Sequence, residues 1–377
     1  MEKIKIFVDA HMFDHGFEGT ASFIQGLYLE LLVQYPEQYQ IYLGCLHPEK
    51  VLPSFGNHPN IEVTKYKTKN RYLRLLFDIP RVIRALRPDL AHFQYFTPLI
   101  KSCPWHVTVH DVLFNDFPQY FPKNYAHIRN ILFPLSTKRA DLLSTVSKYS
   151  SARLVHWYGC KSGKITIIPN GTVEQAVGDL KPNSSDVTQL LENINGYFLC
   201  VSRFEPRKNQ ANLLRAYLGG RYWERGIELV FVGAKTLAIP EFDEAWQEAP
   251  EVAKRYVRFL FGLSFSDIQL LNAHAKIAIY PSLAEGFGMP PLESAIHGTP
   301  TLCAGVTGMA EFDFLKPFFV DPTDPDSIKM GIDGILFDPQ GVAVKMQVIQ
   351  SAIRERYSWA NSARILHNAI AQLPCIA

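Results

Sequence analysis

The chain lacks the patterns that mark disulfide-bonded, metal-binding and membrane-spanning proteins. Its six cysteines are scattered, with no Cys-x-x-Cys pair and no metal-ligand spacing, so we expect reduced thiols in a cytoplasmic protein. No run of about eighteen apolar residues occurs, and the N-terminal stretch has no long apolar core. A formal charge of +2 over 377 residues argues against a dedicated nucleic-acid binder. The sequence therefore predicts a soluble cytoplasmic protein without a nucleic-acid partner.

Two cofactor signatures are also missing. No Gly-x-Gly-x-x-Gly follows the predicted first strand at residues 4–8, which argues against a dinucleotide-dependent oxidoreductase. The acidic string DPTDPD at 321–326 lies beyond the predicted core strands, and we interpret it as a turn. We therefore expect neither a metal ion nor an organic cofactor.

Short apolar strands alternate with helical stretches along both halves of the chain. This alternation is typical of parallel sheets that are covered by helices on both faces. We predict an N-terminal domain over 1–172, a turn-rich linker over 173–195 and a C-terminal domain over 196–357, and we expect the helix at about 358–377 to pack back on the first domain. The predicted fold class is α/β, with two doubly wound, Rossmann-like domains whose ligand sites face a common cleft.

The most specific motif places two carboxylates around a glycine-rich loop. Glu285 and Glu293 flank the string GFGMPPL, which follows an apolar strand predicted at Ile277–Tyr280. Two prolines suit the first turn of a helix, so Glu285 is predicted in the strand-to-helix loop and Glu293 in the first helical turn. Glycines there let backbone amides approach an anion at a helix N-terminus. The arrangement suits a ligand with hydroxyls at both ends and negative charge between them, such as a nucleotide sugar.

Each glutamate also has an explanation that needs no ligand. A glutamate in the first turn of a helix is favourable by itself, which accounts for Glu293. Glu285 sits beside Gly286 in a strand-terminal loop and has less structural reason to be there.

A second block is basic and precedes a predicted helix. The string VSRFEPRKN places Arg203, Arg207 and Lys208 next to a helix that begins near Asn209. Positive charges at a helix N-terminus are unfavourable unless an anion is bound, and Glu205 offsets only part of the charge. Either a diphosphate binds here, or the block is a solvated basic loop with Glu205 as its internal partner.

The order of three strings carries a family resemblance. FEPRKN, VRFLFGL and YPSLAEGFGMPPLESAIHGTP occur in this order over residues 197–312. They resemble the retaining glycosyltransferases of the GT-B fold, specifically family 4 (glycosyltransferase group 1). The first domain resembles this family more loosely, through its opening strand and the string VHDVLF.

The resemblance implies a role for each matching donor-binding residue. Glu285 would contact the donor hexose, and Glu293 would bind the ribose diol. Arg203 and Lys208 would neutralise the diphosphate, and the segment 258–263, which ends at Leu263, would frame the nucleobase. The loop between the two glutamates would contact sugar and phosphate through its main chain, at Gly286, Phe287, Gly288 and Met289.

In the first domain the resemblance points to His110 and Gly19. His110 closes the strand WHVTVH and would lie near the transferring centre; without the family context, it would be a strand-end histidine bonded to backbone. The loop GFEGTASF would approach the donor phosphate through Gly19 and Thr20. This loop departs from the family pattern, because Gly16 and Gly19 are separated where the family has paired glycines. The catalytic set implied by the resemblance is therefore His110, Glu285, Arg203 and Lys208.

The implied reaction is transfer of a hexosyl group from a nucleotide-diphosphate sugar to a glycan or lipid-linked glycan in cell-surface polysaccharide synthesis. The resemblance implies front-face transfer, in which the departing diphosphate helps to deprotonate the acceptor and no metal is needed. FEPRKN is similar to many mannosyltransferases, which favours GDP-mannose over UDP-hexoses. Two alternatives stay open: a sugar-phosphate synthase or phosphorylase with a small phosphorylated acceptor, and a non-catalytic nucleotide-sugar binding module.

One basic segment has two interpretations. Residues 65–87 contain eight lysines and arginines interleaved with aromatic residues and leucines. Such a segment could dock on an anionic membrane surface, at the inner face of the cell membrane. The other interpretation, which the sequence favours, is a solvated helix whose apolar side is buried in the first domain.

Overall fold

The chain folds into two compact units. The computed structural model describes residues 2–15, 19–174, 178, 180–193 and 195–374. The first unit combines Met1–Gly171 with Tyr357–Ala377, and the second is Thr172–Arg356. Each unit is built around one parallel sheet.

The first sheet has seven parallel strands in the order β3-β2-β1-β4-β5-β6-β7. The strands are β1 (Ile4–Asp9), β2 (Tyr39–Cys45), β3 (Ile61–Lys65), β4 (Leu90–Gln94), β5 (Trp105–Thr108), β6 (Leu142–Thr145) and β7 (Ile165–Ile167). Every residue of β4, β5 and β6 is buried, because helices cover both faces of the sheet.

The helices of the first unit follow the strands in chain order. They are α1 (Gly19–Gln34), α2 (Pro48–Phe55), α3 (Arg71–Leu73), α4 (Ile79–Leu86), α5 (Leu113–Asp116), α6 (Tyr125–Arg139), α7 (Lys148–Tyr158) and the C-terminal α16 (Trp359–Ala371). A π-helical turn, Arg74–Asp78, joins α3 to α4. Helix α16 packs against α1, where Gly26 makes room for it: a Cβ atom there would lie 2.1 Å from the Trp359 ring.

The second sheet repeats the strand order of the first with six parallel strands, β10-β9-β8-β11-β12-β13. The strands are β8 (Tyr197–Val201), β9 (Glu228–Val232), β10 (Val257–Leu260), β11 (Ile277–Tyr280), β12 (Thr301–Ala304) and β13 (Phe319–Val320). The helices are α8 (Ser185–Leu191), α9 (Gln210–Gly219), α10 (Pro240–Glu248), α11 (Glu251–Lys254), α12 (Phe265–His274), α13 (Met289–Ala295), α14 (Pro325–Phe337) and α15 (Pro339–Arg356).

Both sheets have a topological switch point, where the chain changes the side on which it adds strands. In the first sheet it lies between β1 and β4, and in the second between β8 and β11. Ligands of doubly wound sheets bind beyond the carboxyl ends of the strands at such points. The predicted α/β class with two doubly wound domains is confirmed.

Two parts of the structure differ from the sequence prediction. The stretch 173–195, predicted as a linker, contains α8, whose Val187 and Leu190 are buried in the core of the second unit. Turn-forming residues before α8 concealed this short helix. Helix α13 begins at Met289, one residue before the predicted start.

In the part of the chain that the structure describes, no helix combines the length and apolar character needed to cross a bilayer.

Candidate active site

The predicted donor-binding residues of the second unit gather at one edge of its sheet. Arg203 and Lys208 follow β8, Leu263 follows β10 and Glu285 follows β11. These strands are parallel, so their carboxyl ends meet at the same edge. Because β8 and β11 are neighbours, the basic block and the Glu285 loop flank the switch point.

Glu285 forms ion pairs with two cations from the basic block. Lys208 Nζ contacts one carboxylate oxygen, and Arg207 Nη1 donates to the other at 2.8 Å. The same Arg207 atom donates to the carbonyl oxygen of Ala284 at 3.1 Å. On its other side, Arg207 pairs with Glu205 at 2.9 Å, and Arg203 Nε lies 3.3 Å from Glu205. The basic block is thus an ordered network of charges.

The charge of Glu285 is fixed by these neighbours. Burial alone would raise its pKa, but the charges of Lys208 and Arg207 outweigh that effect and lower the pKa to about 2. The carboxylate is therefore ionised across the physiological range, and it can accept hydrogen bonds from hydroxyl groups.

The main chain of Glu285 is held by the following loop. Its N–H donates to Thr307 Oγ1 at 2.9 Å, and its carbonyl oxygen accepts from the N–H of Gly308 at 2.9 Å. Gly308 permits this approach, because a Cβ atom there would lie 2.4 Å from the carbonyl oxygen of Gly286. Gly288 caps α13 with φ +101°, a conformation that side chains rarely adopt. The loop therefore presents main-chain groups at a helix N-terminus.

The rest of the predicted loop follows the same course. Gly286 and Phe287 are buried, and the Phe287 ring packs against Phe312 with centroids 5.5 Å apart. Met289 is the first residue of α13 and is partly exposed. Leu263 lies between β10 and α12 and packs against the core of the second unit.

The prediction that Glu293 lies in the first turn of α13 is wrong. Because the helix starts at Met289, Glu293 is its fifth residue, and the first turn contains no acidic residue. The helix N-terminus therefore gives it less stabilisation than a first-turn position would. Burial raises its pKa to about 7, and no neighbouring cation or hydrogen-bond donor of the described chain offsets this rise. The Glu293 side chain is partly exposed. Its ionisation nevertheless lowers the stability of the folded protein, because its pKa is raised.

Lys208 is positioned by an unusual backbone. It ends a 3-10 turn, Pro206–Lys208, and Asn209 follows with left-handed φ and ψ of 60° and 37°. Asparagine tolerates this region better than most residues. The buried Asn209 amide donates to the carbonyl oxygens of Pro281 at 2.9 Å and Pro322 at 2.6 Å, and so links the loops that follow β8, β11 and β13.

In the first unit, His110 follows β5 and is held as a neutral ring. The amide nitrogen of Gln94 donates to the carbonyl oxygen of Thr20 at 3.4 Å, so its oxygen accepts the Nε2–H of His110 at 2.8 Å. The ring also packs edge-on against Phe23, with centroids 4.9 Å apart. Burial lowers the pKa of His110 to about 3. It can orient a polar group, but it carries no positive charge near neutral pH.

Gly19 opens α1, at the carboxyl edge of the first sheet. It is exposed, and a Cβ atom there would meet nothing within 4 Å. Gly16, the other glycine of this predicted loop, lies outside the described residues.

Sequence reasoning missed the part played by Arg207. It paired Arg203 with Lys208, whereas the structure brings Arg207 and Lys208 to Glu285 and leaves Arg203 beside Glu205. The available signal was the position of Arg207, immediately before Lys208 in a turn.

Comparison with known families identifies the chain. The model described as Glycosyltransferase Family 4 matches residues 29–175, and the one described as Glycosyl transferases group 1 matches residues 188–355. The chain belongs to glycosyltransferase family 4. The first match spans β2 to β7 and the second spans β8 to β13, so the resemblance inferred from the sequence is confirmed.

Two bacterial relatives align with most of this glycosyltransferase. O-antigen chain mannosyltransferase B of Escherichia coli is 28% identical over 271 residues, which cover 70% of this chain and 68% of the relative. O-antigen chain mannosyltransferase RfbU of Salmonella typhimurium is 26% identical over 277 residues, with coverages of 73% and 71%.

Solved structures share the fold of the glycosyltransferase over its full length. Anabaena HepE, crystallised in complex with UDP and glucose, superimposes with a TM-score of 0.72 at 18% identity, covering 98% of this chain and 100% of that one. Sucrose-phosphate synthase of Thermosynechococcus elongatus gives a TM-score of 0.73 at 17% identity, with both chains fully covered. These similarities confirm the predicted GT-B fold.

Proposed function

We propose that this glycosyltransferase transfers a hexosyl group, with retention and without a metal, from a nucleotide-diphosphate sugar to a glycan or lipid-linked glycan. We favour GDP-mannose as the donor over UDP-hexoses, and we assign the reaction to cell-surface polysaccharide synthesis in the cytoplasm. The two O-antigen mannosyltransferase relatives support the choice of sugar and pathway class. The complex of HepE with UDP and glucose supports a nucleotide-sugar donor for this fold.

The observation that carries the proposal is the ion-paired Glu285 at the switch point of the second sheet. Its carboxylate faces Lys208 and Arg207, and the N-terminus of α13 lies beyond the glycine loop. In the proposed complex, Glu285 accepts hydrogen bonds from the donor hexose, and Glu293 accepts the ribose diol. Lys208 and Arg203 bind the diphosphate. The main chain of the loop between the two glutamates contacts the sugar and the phosphate.

The same charges support the proposed course of the reaction. When the bond between the anomeric carbon and the diphosphate breaks, negative charge develops on the leaving phosphate. Preorganised cations and a helix N-terminus stabilise such charge without reorganising. A carboxylate that is held by two cations, with a pKa near 2, is a weak nucleophile. Glu285 is therefore better suited to orient the hexose than to attack it, in keeping with front-face transfer.

The experiment combines a donor panel with one lysine variant. Purified protein is incubated with GDP-mannose, UDP-glucose or UDP-galactose and a glycan acceptor, and the anomeric configuration of the product is determined by NMR spectroscopy. We expect GDP-mannose to be used, with retention and undiminished by EDTA. Lys208→Ala should lower turnover about 10²–10³-fold, because one preorganised donor to the leaving group is lost.

Lys329→Ala is the matched control. Lys329 also forms an ion pair, with Asp333 at 2.8 Å, but it lies on α14. An inverted product would contradict the retaining mechanism, and loss of activity in EDTA would contradict metal independence. Near wild-type turnover of Lys208→Ala at saturating donor would overturn the role of Lys208.

A further inference from the structure

The first unit exposes a group of large apolar side chains on three segments that are distant in sequence. Six of them are 40–66% exposed: Leu76, Phe77, Leu99, Ile100, Ile131 and Leu135. We call this group the apolar face. Single exposed apolar residues are common on proteins, but a contiguous group indicates a binding surface.

A groove shows that these segments meet. It has a volume of about 290 Å³ and is lined by Leu76 from the π turn, by Leu99 from the loop between β4 and β5, and by Leu135 from α6. On α6, Ile131 and Leu135 are four residues apart, so they share one side of the helix. The sequence alone drew attention only to residues 65–87, because the other two segments are brought beside them by the fold.

The apolar face is not the buried side of the helical segment. That side is supplied by other residues: Ile79, Val82 and Ile83 are buried in the core of the first unit. The π turn also directs Arg74 and Asp78 inward, where both are buried. Residues 65–87 therefore contact the core of the first unit through other apolar side chains, and Leu76 and Phe77 remain exposed to solvent.

The charge around the apolar face is of one sign. Residues 65–87, 95–104 and 117–140 together contain thirteen lysines and arginines and a single acidic residue, Asp78. Asp78 is buried, accepts hydrogen bonds from the main chain of Lys67 and Thr68, and pairs with Arg81. Of the surrounding lysines, Lys101 is neutralised by Asp141 at 2.7 Å. Without the buried Arg74 and the paired Arg81 and Lys101, ten of the thirteen basic residues remain, whereas the formal charge of the whole chain is only +2. The three segments therefore carry a strong local excess of positive charge.

We propose that the apolar face and its basic rim dock this protein on an anionic lipid bilayer. A bilayer presents anionic headgroups above hydrocarbon, which matches exposed leucine, isoleucine and phenylalanine side chains ringed by lysine and arginine. This surface goes beyond the proposed transfer reaction, and it lies on the unit that does not carry Glu285. Of the two interpretations of residues 65–87, the proposal takes membrane docking, through Leu76 and Phe77, while the burial of Ile79, Val82 and Ile83 agrees with the other.

The second unit provides a natural comparison. Phe337, Val344 and Val348 are 91%, 64% and 66% exposed, but residues 325–356 contain four basic and four acidic residues. Those side chains match the apolar face in exposure and lack its excess of positive charge.

The experiment measures sedimentation of the full chain with lipid vesicles, in the absence of donor and acceptor. The wild-type protein should bind vesicles of phosphatidylcholine and phosphatidylglycerol, bind vesicles of phosphatidylcholine alone much more weakly, and dissociate from the mixed vesicles as salt concentration rises. The triple variant Phe77→Ser, Leu99→Ser, Ile131→Ser should bind at least about tenfold more weakly, because it cannot bury these side chains in the bilayer. Exposed substitutions of this kind have small effects on folding, which circular dichroism checks.

The triple variant Phe337→Ser, Val344→Ser, Val348→Ser is the control and should bind as the wild type does. No binding of the wild-type protein to anionic vesicles at low salt would overturn the proposal, as would equal losses in the two triple variants. Self-association that is lost only in the first variant, without vesicle binding, would show instead that the face pairs two copies of the chain. Because no sugar transfer is measured, failure here is distinguishable from failure of the proposed reaction.

Discussion

Two glutamates eight positions apart experience the same physical effect with opposite outcomes. Burial disfavours the charged form of both Glu285 and Glu293. Lys208 and Arg207 reverse that effect for Glu285, whereas no described residue has a comparable effect on Glu293. The site thus holds one carboxylate that is always charged and one whose charge changes near neutral pH. Ionisation of Glu293 therefore lowers the stability of the folded protein in a pH-dependent way, and a substitution at this position can reveal the effect.

Glu293→Gln should stabilise the free protein markedly at pH 8 and much less at pH 5. The folded-state pKa of Glu293, about 7, lies above its ordinary value of 4.5, so the folded protein binds the proton more tightly than the unfolded chain does. Its contribution to stability therefore falls as pH rises from 4.5 to 7, to a cost of at most about 3 kcal/mol above pH 7. Thermal unfolding of both proteins across this range measures the effect, and equal melting shifts at pH 5 and pH 8 would contradict it.

The same substitution should weaken donor binding. In the proposed complex, the ionised Glu293 accepts the ribose diol, and hydrogen bonds to charged groups contribute about 1.5–3 kcal/mol. Wild-type affinity for GDP-mannose should therefore fall as pH decreases through 7, whereas the affinity of Glu293→Gln should be lower and independent of pH. Calorimetric titration at several pH values distinguishes the two, and a pH-independent wild-type affinity would rule out this role for the ionised carboxylate.

At the scale of structural elements, the site depends on how loops are fastened to each other. Asn209 links three loops through its amide group, and its own left-handed backbone conformation directly precedes α9. It contacts no proposed substrate atom, so it is a positioning residue for Lys208.

Asn209→Ala should destabilise the second unit by about 2–4 kcal/mol, since two buried carbonyl groups lose their donor and alanine is strained at positive φ. Asn209→Gly removes the same hydrogen bonds but tolerates the conformation, so it should be less damaging by about 1 kcal/mol. Denaturant unfolding gives both values. For transfer, both variants should raise KM for the donor and lower kcat, because Lys208 is misplaced; unchanged kinetics in a variant that is still folded would contradict the positioning role.

Elements with strong local signals were predictable from the sequence, and those with weak ones were not. The strand Ile277–Tyr280 has the predicted bounds, because a buried parallel strand is a short, continuous apolar run. The helix α8 was assigned to a linker, because seven residues after a turn-rich stretch give no clear period. Arg207, the cation that joins Lys208 at Glu285, was missed although it directly precedes Lys208, because the turn at Pro206–Lys208 decides which side chains face the sheet edge.

At the scale of the molecule, the chain crosses between units twice. It leaves the first unit after Gly171 and returns at Tyr357. The returning helix α16 buries Trp359, Ala363, Leu366 and Ile370. This helix therefore completes the core of the first unit. Each unit nevertheless has its own buried side chains, which allows the stability of the two units to be changed separately.

Trp359→Ala should destabilise the first unit alone. Trp359 is 8% exposed and packs against Phe23, with ring centroids 6.2 Å apart. Removal of a buried tryptophan costs about 3–5 kcal/mol. Hydrogen exchange followed by mass spectrometry should then show faster exchange in β1 to β7 and unchanged exchange in β8 to β13, since local stability follows cooperative units.

Trp223→Ala is the matched substitution in the second unit, because Trp223 is 7% exposed and lies 6.0 Å from the ring of Tyr217. It should produce the opposite pattern, with faster exchange confined to β8 to β13. If either substitution accelerated exchange equally in both sheets, the two units would unfold as one cooperative body. In that case the C-terminal helix would support the donor-binding residues as strongly as it supports the first sheet, and Trp359→Ala would weaken nucleotide-sugar binding as well as the fold of the first unit.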